Sequence, residues 1–434
     1  MQDFIVALIV ATASLVALRG RLQRYTTPER SLLQLSLWFH IGSAALLVPF
    51  MKGPLKGGDM LVYDEISRAL LDRLVRAPGD TLGILGGLLL HANDPLPVPD
   101  YGLAFGSSGS MIALTTFSLL FTWRSLPAAC VLIGVASFFA KVRIYDVFRA
   151  ETDARLHRRI IAATMLVPST IFWSSGLIKE AFATIGLGLV FKELYHWFYR
   201  RRLLTDGLVA AAIGLALLAT TKAYVFVPLG LAAAASMLLV TARQRRWRLG
   251  AGERAAAIIL GIGIVLAAGR VSSQYDPANF VAEAAHQQDV GAQLSYAGSY
   301  YSLTTERSFL GQIVATPLAL VTALFRPFIF EARNVQQAAN GLETLYFAFL
   351  ATRAFRHRRA GYRMVREQPL LMFCSVFSLI MAIGVGLAST NLGTLSRYRM
   401  PMMPFLWVLV TVIGAAARVP SSPVSLRAAT AAKP

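Results

Sequence analysis

The chain has 434 residues, is 56% hydrophobic and only 15% charged, and carries a net charge of +19; its mean hydropathy is +0.56. Runs near the roughly 20 apolar residues a bilayer needs recur along it, which excludes an ordinary soluble domain. The basic charge would suit nucleic acid, but the arginines fall in bursts between apolar runs, the positive-inside pattern of a membrane protein, so no nucleic-acid partner is needed to explain them.

The first apolar run, Phe4 to Leu18, is followed by Arg19, Arg21, Arg24 and Arg30. A secretory signal carries its positive charge ahead of the apolar stretch. This segment therefore reads as a retained span with its arginines in the cytoplasm. Leu32 to Phe50 returns to the outer side and leads into Gly57-Gly58-Asp59-Met60-Leu61-Val62-Tyr63-Asp64-Glu65. The glycines permit a tight turn, and Ile66 to Val75 reads as a short helix. A helix starting at Asp59 would set Asp59 and Tyr63 on one face, at i and i+4. A carboxylate at a membrane surface can accept a proton from a substrate hydroxyl. Equally, acids favour the first turn of a helix, where they complement its dipole.

The outer loop 51–107 is mixed: Leu82 to Leu90 is too short to span, and Asp94, Pro95, Pro97, Pro99 and Asp100 mark irregular backbone. Met111 to Trp123 and Ala128 to Ala140 are apolar, and Lys141 to Arg159 reads as an interfacial helix. Ile160 to Gly176 spans again and ends at Lys179-Glu180. Ala181 to Phe198 closes that hairpin at Arg200, Arg201 and Arg202. Gly207 to Thr221 and Val225 to Val240 form the next one, with Lys222 and Tyr224 at its tip and Arg243 to Arg248 beyond. Ala255 to Ala268 precedes a polar outer loop, 270–308, containing Tyr275, Tyr296, Tyr300 and Tyr301. Phe309 to Phe325 ends at Arg326-Pro327 and Glu331. Leu342 to Ala351 precedes Arg353, Arg356, Arg358, Arg359, Arg363 and Arg366. Leu370 to Ala388 leads to Arg397-Tyr398-Arg399, and Met402 to Ala417 is the last span. Residues 1–418 thus read as one multi-pass domain and 419–434 as a disordered cytoplasmic tail.

The expected fold is an all-α, polytopic transmembrane helix bundle of about 10–12 spans, with two apolar runs re-entrant so that the arginine bursts stay on one side. The opposite side collects Asp59, Lys179, Glu180, Lys222, Arg326, Glu331, Arg397 and Arg399. Lys179-Glu180 reads first as flanking charges that snorkel to the interface, with a functional pair as the second reading. Arg397 and Arg399 defy the charge bias, and guanidinium forks match phosphate oxygens. Arg326 beside the stiff Pro327 is similar. The loop tyrosines read either as sugar-stacking or as interfacial anchors. Cys130 and Cys374 lie in apolar runs as small core residues. The six histidines show no pairing suited to a metal.

In order, Gly-Gly-Asp-x-x-x-Tyr, Pro-Ser-x-x-Phe-Trp-Ser-Ser-Gly-x-x-Lys-Glu, Arg-Pro-Phe with Glu, and Arg-Tyr-Arg-x-Pro-x-x-Pro resemble bacterial polytopic proteins of polysaccharide assembly. These are the GT-C-type glycosyltransferases that use polyprenyl-phosphate sugars, and the related oligosaccharide repeat-unit polymerases. The resemblance covers most of the chain. It implies a GT-C-like fold, an inner-membrane location and sugar transfer from a polyprenyl-phosphate carrier. Asp59 would be the base, with Asp64 in reserve, and Tyr63, Lys179, Glu180, Lys222, Arg326, Glu331, Arg397 and Arg399 would bind substrate. Other polysaccharide-assembly proteins would be partners. A divalent cation bridging Asp59 and Asp64 to phosphate is compatible with these residues but not demanded by them. The His-Pro element frequent in such transferases is absent, with Tyr101-Gly102-Leu103 in its region, and no segment reads as a large soluble outer domain. A carrier for lipid-linked glycans, without bond chemistry, is the competing class.

Overall fold

The computed structural model describes residues 2–53, 58–91, 96–98, 102–104, 106–200, 205–244, 288–289, 301 and 308–415. Among them, backbone polar groups are satisfied almost wholly within helices, the arrangement a bilayer imposes. In chain order these are α1 (Gln2–Leu22), α2 (Thr27–Lys52), α3 (Asp59–Arg76), α4 (Pro78–Leu90), α5 (Gly106–Phe121), α6 (Leu126–Glu151), α7 (Ala154–Met165), α8 (Pro168–Trp173), α9 (Lys179–Arg200), α10 (Thr205–Lys222) and α11 (Phe226–Gln244). Then follow α12 (Phe309–Phe325), α13 (Val335–Arg356), α14 (Arg358–Glu367), α15 (Pro369–Ala388), α16 (Leu392–Tyr398) and α17 (Met403–Ala415). One small antiparallel hairpin, Leu96–Val98 with Gly102–Ala104, lies between α4 and α5, where only irregular backbone was expected.

Among the described residues, six stretches are long and apolar enough to cross a membrane: Ile5–Leu22, Thr27–Lys52, Leu126–Glu151, Thr205–Ala242, Pro369–Ala388 and Leu392–Ala415. Their outward faces carry exposed Leu8, Ile9, Val16, Trp38, Leu46, Leu208 and Ile213, an apolar coat suited to lipid. The protein is a helical membrane protein. Fewer stretches qualify among the described residues than the about 10–12 spans expected of the whole chain, for physical reasons. The 22-residue helices α9 and α13 carry charges along their length. The span expected over 160–176 is broken into α7 and α8 at Pro168, whose ring and missing N–H stop α7. The run Ala255 to Ala268 and most of loop 270–308 lie outside the described residues.

Helix α6 is the axis of the bundle. Of its apolar window 78% is buried, against 28% for α1 at the rim. The expected interfacial helix over Lys141 to Arg159 is not formed, because α6 continues unbroken to Glu151. Its charged residues each find a partner elsewhere in the bundle. Arg143 pairs with Glu193, Asp146 accepts from Tyr25 at 2.6 Å and from Lys192 at 3.3 Å, and Arg149 meets Glu29 at 2.7 Å. Glu29 also contacts His157 at 3.1 Å and accepts a hydrogen bond from the Tyr145 hydroxyl. This network stitches the arginine-rich end of the bundle.

Between the ends, Phe148, Phe191, Phe373, Phe377 and Phe405 interlock, with Phe191–Phe405 and Phe377–Phe405 centroids at 4.9 and 5.0 Å. They join α6, α9, α15 and α17 by edge and tilted ring contacts. Helices α9 and α10 approach more closely than side chains would allow. A methyl group added at Gly186 would sit 2.7 Å from the Gly214 carbonyl, and one at Gly214 would sit 2.7 Å from the Gly186 carbonyl. Small residues at such a crossing are the usual device of membrane helices. The approach brings Glu180 and Lys222, at the ends of these two helices, together.

Candidate functional site

At the end of the bundle opposite the Glu29 network, Gly58 takes φ 141°, a region essentially reserved for glycine, and α3 starts at once with Asp59. The Asp59 side chain is 54% exposed. One turn on, Tyr63 is buried against Ser108. Burial pushes its phenol well above the usual range, and the Asp59 charge adds to the shift. The i, i+4 pairing expected from sequence is therefore present.

The next acids and bases arrive on broken helices. The two free N–H and O–H groups of Ser169, at the start of α8, donate to the buried Glu343 carboxylate of α13 at 2.8 and 2.6 Å. A few irregular residues follow α8, and α9 then opens with Lys179 and Glu180. Glu180 is completely buried. It faces Lys222 Nζ at 2.9 Å and Arg397 Nε at 3.3 Å, and its second oxygen accepts from Arg397 Nη2 at 3.5 Å. The same Nη2 lies 3.4 Å from Asp59 Oδ2, while the guanidinium covers the Trp173 ring at 5.3 Å. Lys222 donates to the Tyr224 hydroxyl at 3.0 Å and sits 4.5 Å from the Tyr398 ring centre. Lys179 donates to Ser107 and Ser108 at 2.9 and 3.2 Å. Three cations face two carboxylates here, so the cluster keeps a positive excess.

Beside it, Arg326 grips Glu331 with both prongs, Nε to Oε2 at 3.1 Å and Nη2 to Oε1. Burial alone would raise the Glu331 carboxyl, but hydrogen bonds from Arg326 and the Phe328 N–H hold it below the usual range. Arg326 also stacks over Tyr301 at 4.3 Å, and its carbonyl accepts from Arg399 Nη1 at 2.7 Å.

Thus Asp59, Tyr63, Lys179, Glu180, Lys222 and Arg397 meet in one cluster, with Arg326, Glu331 and Arg399 forming an adjoining group. Asp64 does not join them. Five residues rotate it roughly 140° around the helix from Asp59, and its two oxygens are held by Arg68 Nε at 3.0 Å each. The base expected in reserve is committed to a salt bridge, and nothing draws Asp59 and Asp64 around a shared cation. No group of three or more His, Cys, Asp or Glu suited to a metal occurs among the described residues.

Sequence reasoning missed one buried polar centre. Lys141 Nζ donates to the Thr170 carbonyl at 2.8 Å, Ser174 Oγ at 2.8 Å and His40 Nε2 at 3.1 Å. His40 Nδ1 lies 2.8 Å from the Ser36 carbonyl, so the network assigns the ring proton to Nδ1 and leaves Nε2 to accept. Three acceptors match the three donors of an ammonium group. The centre pins α8, and so Trp173, to α2 and α6. Lys141→Met should lower the thermal midpoint in detergent, because each acceptor left buried and unpaired costs about 1–3 kcal/mol. An unchanged midpoint would deny Lys141 this structural part.

No family model, curated protein or solved structure matches the chain. The class that the fold and site define is a helical membrane protein with a buried, net-cationic cluster opened to solvent at one carboxylate.

Proposed function

We propose that this protein is a bacterial inner-membrane glycosyltransferase of cell-surface polysaccharide assembly. It moves a sugar or oligosaccharide from a polyprenyl-(di)phosphate carrier to an acceptor on the outer face. The observation that carries this reading is a half-exposed carboxylate, Asp59, set 3.4 Å from a guanidinium at the mouth of a net-cationic cluster. Glycosyl transfer needs both features at once. Asp59 takes the proton of the acceptor hydroxyl, whose oxygen attacks the anomeric carbon. The bond from that carbon to the carrier phosphate breaks, and its electron pair leaves on a phosphate oxygen near the cations. Where the acceptor is itself a carrier-linked glycan, the same chemistry makes a repeat-unit polymerase.

A second reading, a carrier of lipid-linked glycans, is favoured by the placement of Glu180 and Lys222 beside helix breaks, at α8–α9 and α10–α11. Charges at interrupted helices line many transport paths. The two readings separate in cells deleted for this protein. A transferase leaves its carrier-linked substrate accumulating on the outer leaflet, open to an impermeant oxidant in spheroplasts. A transporter leaves it protected on the inner leaflet. Unchanged lipid-linked intermediates, measured by mass spectrometry, would overturn both.

A further inference from the structure

Two side chains next to the charge cluster hold buried donors with no acceptor among the described residues. Arg399 is 1% exposed, and beyond its Nη1 bond to the Arg326 carbonyl its Nε and Nη2 have no hydrogen-bond partner among the described residues. These two nitrogens share one edge of the planar guanidinium, the edge that takes two oxygens of a single oxyanion. In Arg397 the same edge is filled by Glu180. Nothing equivalent among the described residues fills it in Arg399. The carboxylate whose field reaches Arg399 is Glu343, and both Glu343 oxygens are taken by Ser169.

Tyr301 is the second. Its backbone N–H is fixed to the Thr390 carbonyl at 2.8 Å, its ring lies under the Arg326 guanidinium, and its buried hydroxyl also has no partner among the described residues. Arg399 and Tyr301 are therefore both held to Arg326, one by its carbonyl and one by its guanidinium, and they interact electrostatically. Buried polar groups in native proteins are nearly always paired. An unpaired guanidinium edge is among the costliest exceptions. Guanidinium can only donate, so the group that completes it is an acceptor, and an oxyanion makes the strongest pair with this edge.

We infer that Arg399 and Tyr301 form a phosphate subsite, two oxygens on the Arg399 fork and a third on the Tyr301 hydroxyl. The subsite rests on the transferase reading only for the origin of the phosphate in a lipid carrier. It assigns phosphate contact to Arg399 and leaves Arg397 to hold Glu180 and Asp59.

The test is calorimetric titration of the purified full chain, in a phosphate-free maltoside detergent, with farnesyl phosphate and separately with inorganic phosphate. Farnesyl phosphate is expected to bind. Arg399→Lys, which loses the fork, should weaken it ten- to a hundredfold. Tyr301→Phe should weaken it about three- to tenfold while the ligand-free thermal midpoint holds or rises, because the substitution removes an unpartnered hydroxyl. Binding of inorganic phosphate with the same dependence would mark a site for the bare anion, and binding of farnesyl phosphate alone would mark a lipid-linked source; either supports the subsite. No binding of either probe, or equal binding by both variants, overturns it. Should Arg399→Lys fail to fold, Tyr301→Phe decides. Binding is read without turnover, so an Asp59→Asn protein that still assembled glycan would defeat the transferase reading and leave the subsite standing.

Discussion

Glu180→Gln is expected to destabilise the protein by about 3–5 kcal/mol, enough to lower the thermal midpoint in detergent sharply and to reduce the amount recovered from membranes. Glutamine keeps the shape of the side chain and removes its charge. Lys222 and Arg397 then face one another with no buried counter-ion, since both were held by this carboxylate at 2.9 and 3.3 Å. Asp59 cannot take over. It reaches only Arg397, at 3.4 Å, and is more than half exposed, so solvent screens most of that attraction. Three elements depend on the contact: the head of α9, the end of α10, and α16. The double variant Glu180→Gln with Lys222→Gln should recover part of the loss, because one of the stranded cations is gone; neighbouring substitutions of this kind are not additive. An unchanged midpoint in Glu180→Gln would mean that water, not the carboxylate, satisfies the two cations.

The sequence made the membership of this cluster legible but not its pairing. Asp59, Lys179, Glu180, Lys222 and Arg397 stood out because charge on the arginine-poor side of apolar runs is costly and therefore conspicuous. Which cation serves Glu180 depends on how α9, α10 and α16 pack, and no local spacing carries that. The phase of α3 decides between Asp59 and Asp64, and it became fixed only once the helix was seen to start at Asp59 itself. Boundaries followed the same logic. The apolar run 309–325 coincides with α12 because no polar residue within it mimics an end. The run ending at Ala140 stopped short of the true end of α6 because Lys141 looked like a terminus. Its three acceptors come from His40 on α2, Thr170 on α8 and Ser174 just beyond α8, beyond the reach of any hydropathy window. Tyr301 was hidden for another reason. As a loop tyrosine it matched interfacial anchoring, and what distinguishes it is a buried hydroxyl with no partner among the described residues.

Asp59→Asn is expected to leave the protein folded and inserted while glycan assembly falls by roughly 10²-fold or more, the scale of a lost general base. The structural cost is small by construction. Asp59 occupies the first turn of α3, and losing its charge there forgoes about 0.3–1 kcal/mol of dipole interaction. The Arg397 contact it gives up is long and solvent-exposed, and Glu180 continues to hold that guanidinium. Asparagine keeps the size and a hydrogen-bonding oxygen but cannot accept the acceptor's proton. Asp64→Asn provides the internal comparison. It breaks the exposed-side bridge to Arg68, which is worth a few tenths of a kcal/mol at a helix surface, and it should leave activity near normal. The measurement is polysaccharide formed per unit of membrane-inserted protein, with the thermal midpoint recorded for each variant. Full activity in Asp59→Asn would return Asp59 to the role of a dipole-complementing first-turn acid. Loss of activity in Asp64→Asn instead would place the base on the other face of α3, away from the cation cluster, and the proposed chemistry at Asp59 would fall.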